Sequence, residues 1–319
     1  MRDEGQVVVI TGASSGIGRA TARRYASRGA RLVLASRSRE ALETVAAECR
    51  ERGAQVSVVP TDVTQQGEVR ALAASAVAEF GRIDVWVGNA GVFSYGSFES
   101  TPERVFRQVV ETNLMGQVHG ARAVLPYFRR QGSGTLVLVG SLYSRVSARD
   151  ISPYIASKWG LLGFAEVLRQ ELRASRGIRV RIILPATIDT PIYQHAANVT
   201  GRRVHPLPPA SSPERVARAI VRAPRRRRFT TFVGLSQRSV IPLHRAAPPL
   251  YDGLTSLLKR RVELRGHAPL SDGTVFEPPA NASSATGGWR SPMRPIVALG
   301  IAAGALALAA VKGQRKPSA

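Results

Sequence analysis

The fold of this chain is decided at residues 7–18, which read VVVITGASSGIG. The apolar run 7–10 is typical of a buried strand in a parallel sheet. It leads into a turn containing Gly12, Gly16 and Gly18, and a helical stretch follows. Glycines let the backbone turn tightly and approach a pyrophosphate, and a helix N-terminus presents unpaired N–H groups to it. The stretch therefore predicts a dinucleotide-binding turn, with an ordinary strand-to-helix loop as the alternative.

Apolar runs and helical stretches alternate from this point to about residue 235. The predicted strands are 7–11, 31–36, 55–60, 84–87, 135–140, 178–184 and 229–233. The predicted helices are 16–28, 38–52, 65–80, 102–130, 151–175 and 213–223. This alternation predicts an α/β fold, a doubly wound, Rossmann-type parallel sheet with helices on both faces, in a single catalytic domain.

Tyr154 and Lys158 form the most informative pair in the rest of the chain. Residues four apart share one face of a helix, so the phenol and the ammonium should point into the same space. The chain has only four lysines against 41 arginines, so a lysine at this position is unusual. A nearby cation is expected to lower the pKa of the phenol, which can then exchange a proton near neutral pH. A solvated helix face with an incidental Tyr and Lys is the alternative.

Several motifs in a fixed order resemble the short-chain dehydrogenase/reductase family, in its smaller, non-extended branch, over about residues 5–235. Ser141 stands thirteen residues before Tyr154, as in the family's Ser, Tyr and Lys set. The resemblance implies catalytic roles for Asn113, Ser141, Tyr154 and Lys158. It implies cofactor contacts at Gly12, Ser14, Ser15, Gly16, Ile17, Gly18, Asp62, Val63, Asn89, Ala90, Gly91, Tyr154, Lys158, Pro185, Ile188 and Thr190.

The same resemblance implies reversible hydride transfer between a nicotinamide and a carbonyl or alcohol. In reduction, Ser141 would orient the substrate oxygen and Tyr154 would donate the proton. Lys158 would lower the pKa of Tyr154 and hold the ribose. Asn113 would fix a water that connects Lys158 to solvent.

The end of the second predicted strand indicates which nicotinamide cofactor is used. A carboxylate about 20 residues after the glycine turn usually binds the ribose 2′-hydroxyl of NAD(H). Here the first carboxylate is Glu40, whereas Arg37 could pair with a 2′-phosphate. NADP(H) is therefore expected, with NAD(H) as the less favoured cofactor.

The composition narrows the other possibilities. The net charge of +23 could suit nucleic acid, but no nucleic-acid-binding motif accompanies it, so no such partner is expected. The five histidines lack metal-ligand spacing, so no metal is expected. The single Cys49 fits a reducing, cytoplasmic compartment. The expected partners are a small carbonyl or alcohol and further copies of the same chain in a homo-oligomer.

The chain beyond the 1–235 domain is predicted to divide into four parts. Residues 236–265 contain an apolar stripe flanked by basic residues, which predicts a basic amphipathic helix. Such a helix could bind a membrane surface or a partner, or it could pack on its own domain or on a second subunit. Residues 266–294 are predicted as a linker, 295–312 as a membrane anchor and 313–319 as a basic tail. The stretch 296–311 is uncharged and has no polar face, although sixteen helical residues span only about 24 Å.

Two other functions stay open at this point. One is a non-catalytic, membrane-tethered dinucleotide-binding sensor or scaffold, against which the intact Ser141, Tyr154 and Lys158 argue. The other is a soluble 3-oxoacyl-carrier-protein reductase, against which the apolar tail argues. The membrane anchor hints at a lipophilic alcohol or ketone.

Overall fold

A computed structural model describes residues 3–234, 239–279 and 284–290 of the chain. Its central sheet has seven parallel strands: β1 Val7–Thr11, β2 Arg31–Ser36, β3 Val56–Pro60, β4 Val85–Gly88, β6 Gly134–Val139, β7 Ile178–Pro185 and β10 Thr230–Val233. Their order across the sheet is β3-β2-β1-β4-β6-β7-β10. The predicted doubly wound parallel sheet is confirmed. The order reverses between β1 and β4, and ligands of such sheets bind at the carboxyl ends of the strands at this point.

Helices cover both faces of the sheet. They are α1 Gly16–Ala26, α2 Arg39–Arg50, α3 Gln66–Phe80, α4 Glu103–Val110, α5 Gly116–Gln131, α6 Ser152–Glu171 and α7 Pro213–Arg222. Successive residues of β1 face opposite cores, since Val8 and Ile10 pack with α1, α2 and α7, whereas Val9 packs with α3, α5 and α6. Each such fully buried side chain contributes about 1.5–3 kcal/mol.

One predicted helix is divided in the structure. The stretch predicted at 102–130 consists of α4 and α5, joined by a π-helical turn over Glu111–Met115. Such turns insert one extra residue into a helix and often occur at functional sites. This turn carries Asn113, for which the family resemblance implies a catalytic role.

The described residues between 239 and 290 fold back onto the domain. They include α8 Val240–Ala246, α9 Pro248–Leu258, a π-helical turn Lys259–Glu263 and β11 Leu264–His267. Strand β11 pairs with β9 Arg202–Val204, and two short strands, β5 Ser94–Tyr95 and β8 Ala197–Asn198, pair with each other. Of the alternatives left open for the amphipathic helix, the structure shows packing on its own domain.

The predicted membrane anchor, residues 295–312, lies outside the described residues. Within the residues that are described, no helix is both long and apolar enough to cross a bilayer.

Candidate active site

The glycine turn after β1 lies against the end of β4. Gly12 has a φ of +63°, and a Cβ there would stand 2.8 Å from Ala90 Cα. Asn89 Nδ2 donates to the carbonyls of Thr11 and Gly12 at 3.1 and 3.0 Å. A Cβ on Gly18 would stand 2.0 Å from the Gly12 carbonyl oxygen. Only glycine therefore allows this turn and the first turn of α1 to pack so closely.

Ser141 and Tyr154 meet at the carboxyl end of β6. Ser141 follows this strand and accepts a hydrogen bond from the Tyr143 N–H at 3.1 Å, which orients its hydroxyl. Tyr154 lies on the first turn of α6, close enough to Ser141 for that hydroxyl to lower the pKa of the phenol. Both are buried.

Lys158 lies one turn further along α6, on the same face as Tyr154. Its Nζ donates to the Val139 carbonyl at 3.0 Å and stands 5.6 Å from the centre of the Tyr154 ring. Its side chain is buried and lines the same cavity as Tyr154. The predicted shared face is therefore present.

The expected lowering of the Tyr154 pKa is wrong for this structure. Burial raises the pKa of Tyr154 to about 12, and the nearby Ser141 hydroxyl opposes this shift only in part. Burial lowers the pKa of Lys158 to about 8. Desolvation disfavours the charged form of each group, and it is the largest cause of both shifts. Tyr154 therefore holds its proton at neutral pH, which suits a proton donor.

Asn113 holds the loop after β4 against α6. Its Oδ1 accepts from the Val92 N–H at 2.8 Å, and its Nδ2 donates to the Val92 carbonyl and to Ser157 Oγ at 3.0 and 3.2 Å. The residue is completely buried behind the cavity wall. Its side chain thus positions the wall near Lys158. The water-holding role expected for it stays a prediction.

One continuous cavity, with a volume of about 580 Å³, contains the predicted site residues except Gly18 and Asn113. It runs from the glycine turn, past Asp62 and Val63, to Tyr154 and beyond. Five of the seven tyrosines of the chain line it: Tyr95, Tyr143, Tyr154, Tyr193 and Tyr251. Apart from Tyr154, these tyrosines were not predicted as site residues, since they come from separate segments of the chain, among them β5 and α9.

The amphipathic stripe of residues 250–262 forms part of this cavity. Leu254, Leu258 and Val262 line it, whereas Leu250 and Leu257 are 42% and 50% exposed. The Tyr251 hydroxyl donates to the Ser147 carbonyl at 2.7 Å and fixes α9 beside the loop after β6. The C-terminal extension therefore builds a wall of the site.

A further segment, the C-terminal strap (residues 271–279 and 284–290), crosses the opposite end of the cavity. Arg37 donates to the carbonyls of Thr274, Phe276 and Glu277 at 2.6, 2.7 and 3.2 Å. The Gly16 N–H donates to the Ser284 carbonyl at 3.1 Å. Both donors were predicted to bind cofactor phosphates, and both are bonded here to backbone oxygens of the strap. This segment was predicted to be a linker.

The loop after β7 anchors the strap. Asp189 is buried, and its Oδ1 accepts from the N–H groups of Gly287 and Trp289 at 3.0 and 2.8 Å. Trp289 Nε1 donates to the Thr190 carbonyl at 3.2 Å. Pro185, Ile188 and Thr190 line the cavity at this loop.

Comparison with known proteins identifies the family. A family model described as short chain dehydrogenase matches residues 6–199. The chain belongs to this family. Short-chain dehydrogenases are oxidoreductases that bind a nicotinamide dinucleotide, and the structure offers a fitting cradle in the positive φ of Gly12 and the N-terminal end of α1.

Curated members of the short-chain dehydrogenase family match over most of the chain. An uncharacterised oxidoreductase, YxnA of Bacillus subtilis, is 32% identical over 96% of this chain and 90% of its own length. The 3-oxoacyl-[acyl-carrier-protein] reductase FabG of Thermotoga maritima is 33% identical over 69% of this chain and 91% of its own.

A solved structure of a metagenomic short-chain oxidoreductase in complex with NADP has the same fold. It superimposes with a TM-score of 0.61 at 29% sequence identity, covering 72% of this chain and 97% of the other.

Proposed function

We propose that this short-chain dehydrogenase transfers a hydride between NADP(H) and a lipophilic carbonyl or alcohol, with Tyr154 as the general acid/base. The observation that carries the proposal is the meeting of Ser141, Tyr154 and Lys158 in the cavity that begins at the glycine turn. Burying these three polar side chains costs free energy, and a purely structural role would not require them to face an open cavity.

The bound nicotinamide would supply or accept the hydride. In reduction, the Ser141 hydroxyl donates a hydrogen bond to the carbonyl oxygen and orients it. Tyr154 donates its proton to the same oxygen as negative charge develops there. Lys158, mostly protonated at neutral pH with a pKa of about 8, stabilises the resulting phenolate and holds the ribose.

Preference for NADP(H) over NAD(H) rests on Arg37 and on the absence of a carboxylate before Glu40 at the end of β2. The guanidinium lines the cavity, and its present partners are neutral carbonyls. A 2′-phosphate is a stronger acceptor than a carbonyl, because both members of the pair are charged. Binding through Arg37 would exchange these hydrogen bonds and displace residues 274–277. The NADP-bound family member supports this preference.

A lipophilic substrate fits the composition of the cavity wall beyond Tyr154. Most side chains there come from apolar and aromatic residues, among them Val146, Ile192, Leu254 and Leu258. The acyl-carrier-protein reductase stays the second candidate, because a reductase of that kind matches over two thirds of this chain. Its carrier-bound substrate would reach the site through an acidic partner protein.

A panel of carbonyl compounds, assayed with NADPH and with NADH, tests the proposed function. We expect the purified chain to reduce bulky lipophilic ketones faster than an acetoacetyl thioester, with NADPH oxidation followed by absorbance. Faster turnover of the acetoacetyl thioester would favour the carrier-protein reductase. If the chain neither reduces any of the carbonyl compounds nor oxidises the matching alcohols with NADP⁺, the non-catalytic sensor or scaffold is favoured.

The predicted anchor at 296–311 gives a separate expected result. If this uncharged segment inserts into a bilayer, the full chain should stay with cell membranes through washes in 1 M salt. Screening at high salt removes attachment that is only electrostatic. A chain ending at Arg294 should lose this salt-resistant attachment and serves as the matched control. Recovery of the full chain in the supernatant without detergent would contradict the anchor. The cytoplasmic location of the catalytic domain and the homo-oligomer stay predictions from the sequence.

A further inference from the structure

An ion pair is buried in the cavity wall at a distance from the reacting groups. Lys259 and Glu263 lie on the π-helical turn after α9, with 3% and 4% of their surfaces exposed. Lys259 Nζ and Glu263 Oε2 are 3.7 Å apart, which is longer than a good hydrogen bond. Both residues line the cavity.

A third polar residue joins this pair. The Tyr95 hydroxyl donates to Glu263 Oε1 at 2.8 Å, and Lys259 Nζ lies 5.3 Å from the centre of the Tyr95 ring. Lys259 also donates to the Arg149 carbonyl. An ammonium has three protons to donate. We call Tyr95, Lys259 and Glu263 the distal polar cluster.

The distal polar cluster is linked to Tyr154 by stacked rings. The Tyr95 ring stacks on Phe93 with centroids 4.8 Å apart, and Phe93 stacks on Tyr154 at 4.0 Å. The cluster therefore lies two ring contacts from the proton donor, along one wall of the cavity. A substrate of several fused or linked rings could reach from one to the other.

The fold itself gives little reason to keep charges at this place. Desolvation of two ions costs several kcal/mol, and replacing a buried pair by apolar residues is often neutral or stabilising. Burial lowers the pKa of Lys259 and raises the pKa of Glu263, which reflects the same cost. Apolar neighbours such as Leu258 and Val262 show that this turn also accepts hydrophobic side chains. The proposed proton transfer uses neither charge.

We propose that the distal polar cluster binds a hydroxyl group of the substrate, remote from the carbonyl that is reduced. A hydroxyl can accept a hydrogen bond from Lys259 and donate one to Glu263, and it adds no charge to a pair that is neutral overall. The preferred substrate is then a hydroxylated lipophilic ketone or the corresponding diol. This inference rests on the proposed function and narrows its substrate class.

Two ketones that differ by one hydroxyl test the inference: 2-decalone and 6-hydroxy-2-decalone, each with the full chain and NADPH. We expect kcat/KM to be about tenfold or more higher for the hydroxyketone, because hydrogen bonds to charged groups give about this much discrimination. In the double variant Lys259→Met, Glu263→Leu the ratio of the two kcat/KM values should fall to about one. Leu257→Ala, at an exposed position of α9, is the matched control and should keep the ratio of the unmodified chain.

The outcomes separate the possible failures. An equal kcat/KM for both ketones in the unmodified chain, or an unchanged ratio in the double variant, overturns the distal polar cluster but leaves the proposed function standing. A loss of thermal stability with an unchanged ratio means that the pair is only structural. Absence of turnover with either ketone and either cofactor overturns both. If the double variant does not fold, Glu263→Gln decides, since it keeps the size of the side chain but removes the charged acceptor, and it should lower the ratio at least about threefold.

Discussion

Replacing Tyr154 by Phe is expected to lower turnover by about 10²–10⁴-fold, the usual contribution of a general acid or base. The variant removes only the transferable proton, because Phe keeps the ring that stacks on Phe93 at 4.0 Å. Cofactor affinity should therefore stay within about threefold of the unmodified value, since the charge of Lys158 and the glycine turn are unaltered. Initial rates with NADPH and a reactive ketone give the first quantity, and quenching of NADPH fluorescence gives the second.

Tyr143→Phe is the matched control for this experiment. Tyr143 also lines the cavity, and its ring lies edge-on to Tyr154 with centroids 6.3 Å apart. Burial and the charge of Glu263 hold the pKa of Tyr143 well above its ordinary value. Tyr143 is not one of the three residues proposed for proton transfer, Ser141, Tyr154 and Lys158. Its loss should cost far less turnover than the loss of the Tyr154 hydroxyl. Near-normal turnover in Tyr154→Phe, or an equal loss in both variants, would show that Tyr154 is not the general acid.

The second large effect is expected at Arg37. The unmodified chain should bind NADPH about 10–150-fold more tightly than NADH, and Arg37→Ala should remove most of this preference. NADH affinity should not fall in the variant, because the hydrogen bonds from Arg37 to the strap are lost together with the guanidinium. Fluorescence titrations with both cofactors measure the four dissociation constants.

Arg39→Ala controls for the change in net charge. Arg39 is exposed at the start of α2, two residues from Arg37. Its removal should weaken NADPH binding only slightly, since an exposed charge is screened by salt. Equal affinity of the unmodified chain for NADPH and NADH would contradict the hypothesis that Arg37, at the end of β2, selects NADP(H). An equal effect of both variants would show that only the general positive charge matters.

Local patterns in the sequence predicted the strands of the sheet closely. β1, β2 and β10 begin or end within a residue of the predicted bounds. Runs of apolar residues predict buried strands, and the glycines of the turn predict a close approach between backbone segments. The spacing of Tyr154 and Lys158 likewise reflects helix geometry, which is local. The break at Glu111–Met115 was missed, because one additional residue in a helix leaves the apolar periodicity almost unchanged.

The rarity of lysine in this chain indicates two site residues, of which only one was predicted. The rarity of lysine in an arginine-rich chain drew attention to Lys158, and the same argument applies to Lys259. Both are buried and line the cavity, where a compact ammonium fits and a wide guanidinium would be hard to place. The spacing of Lys259 and Glu263, four residues apart on a predicted helix, was also visible.

The sequence by itself thus determined the fold, the glycine turn and the residues proposed for proton transfer, because each depends on neighbours within about one element. Only the tertiary structure decided where the C-terminal extension lies. The apolar stripe at 250–262 could equally have covered a membrane or a partner, but Leu254, Leu258 and Val262 line the cavity. Arg37 donates to the carbonyl of Thr274, which is 237 residues away along the chain. The pKa of Tyr154 also depends on how completely distant segments exclude water from it, and no local pattern encodes that exclusion.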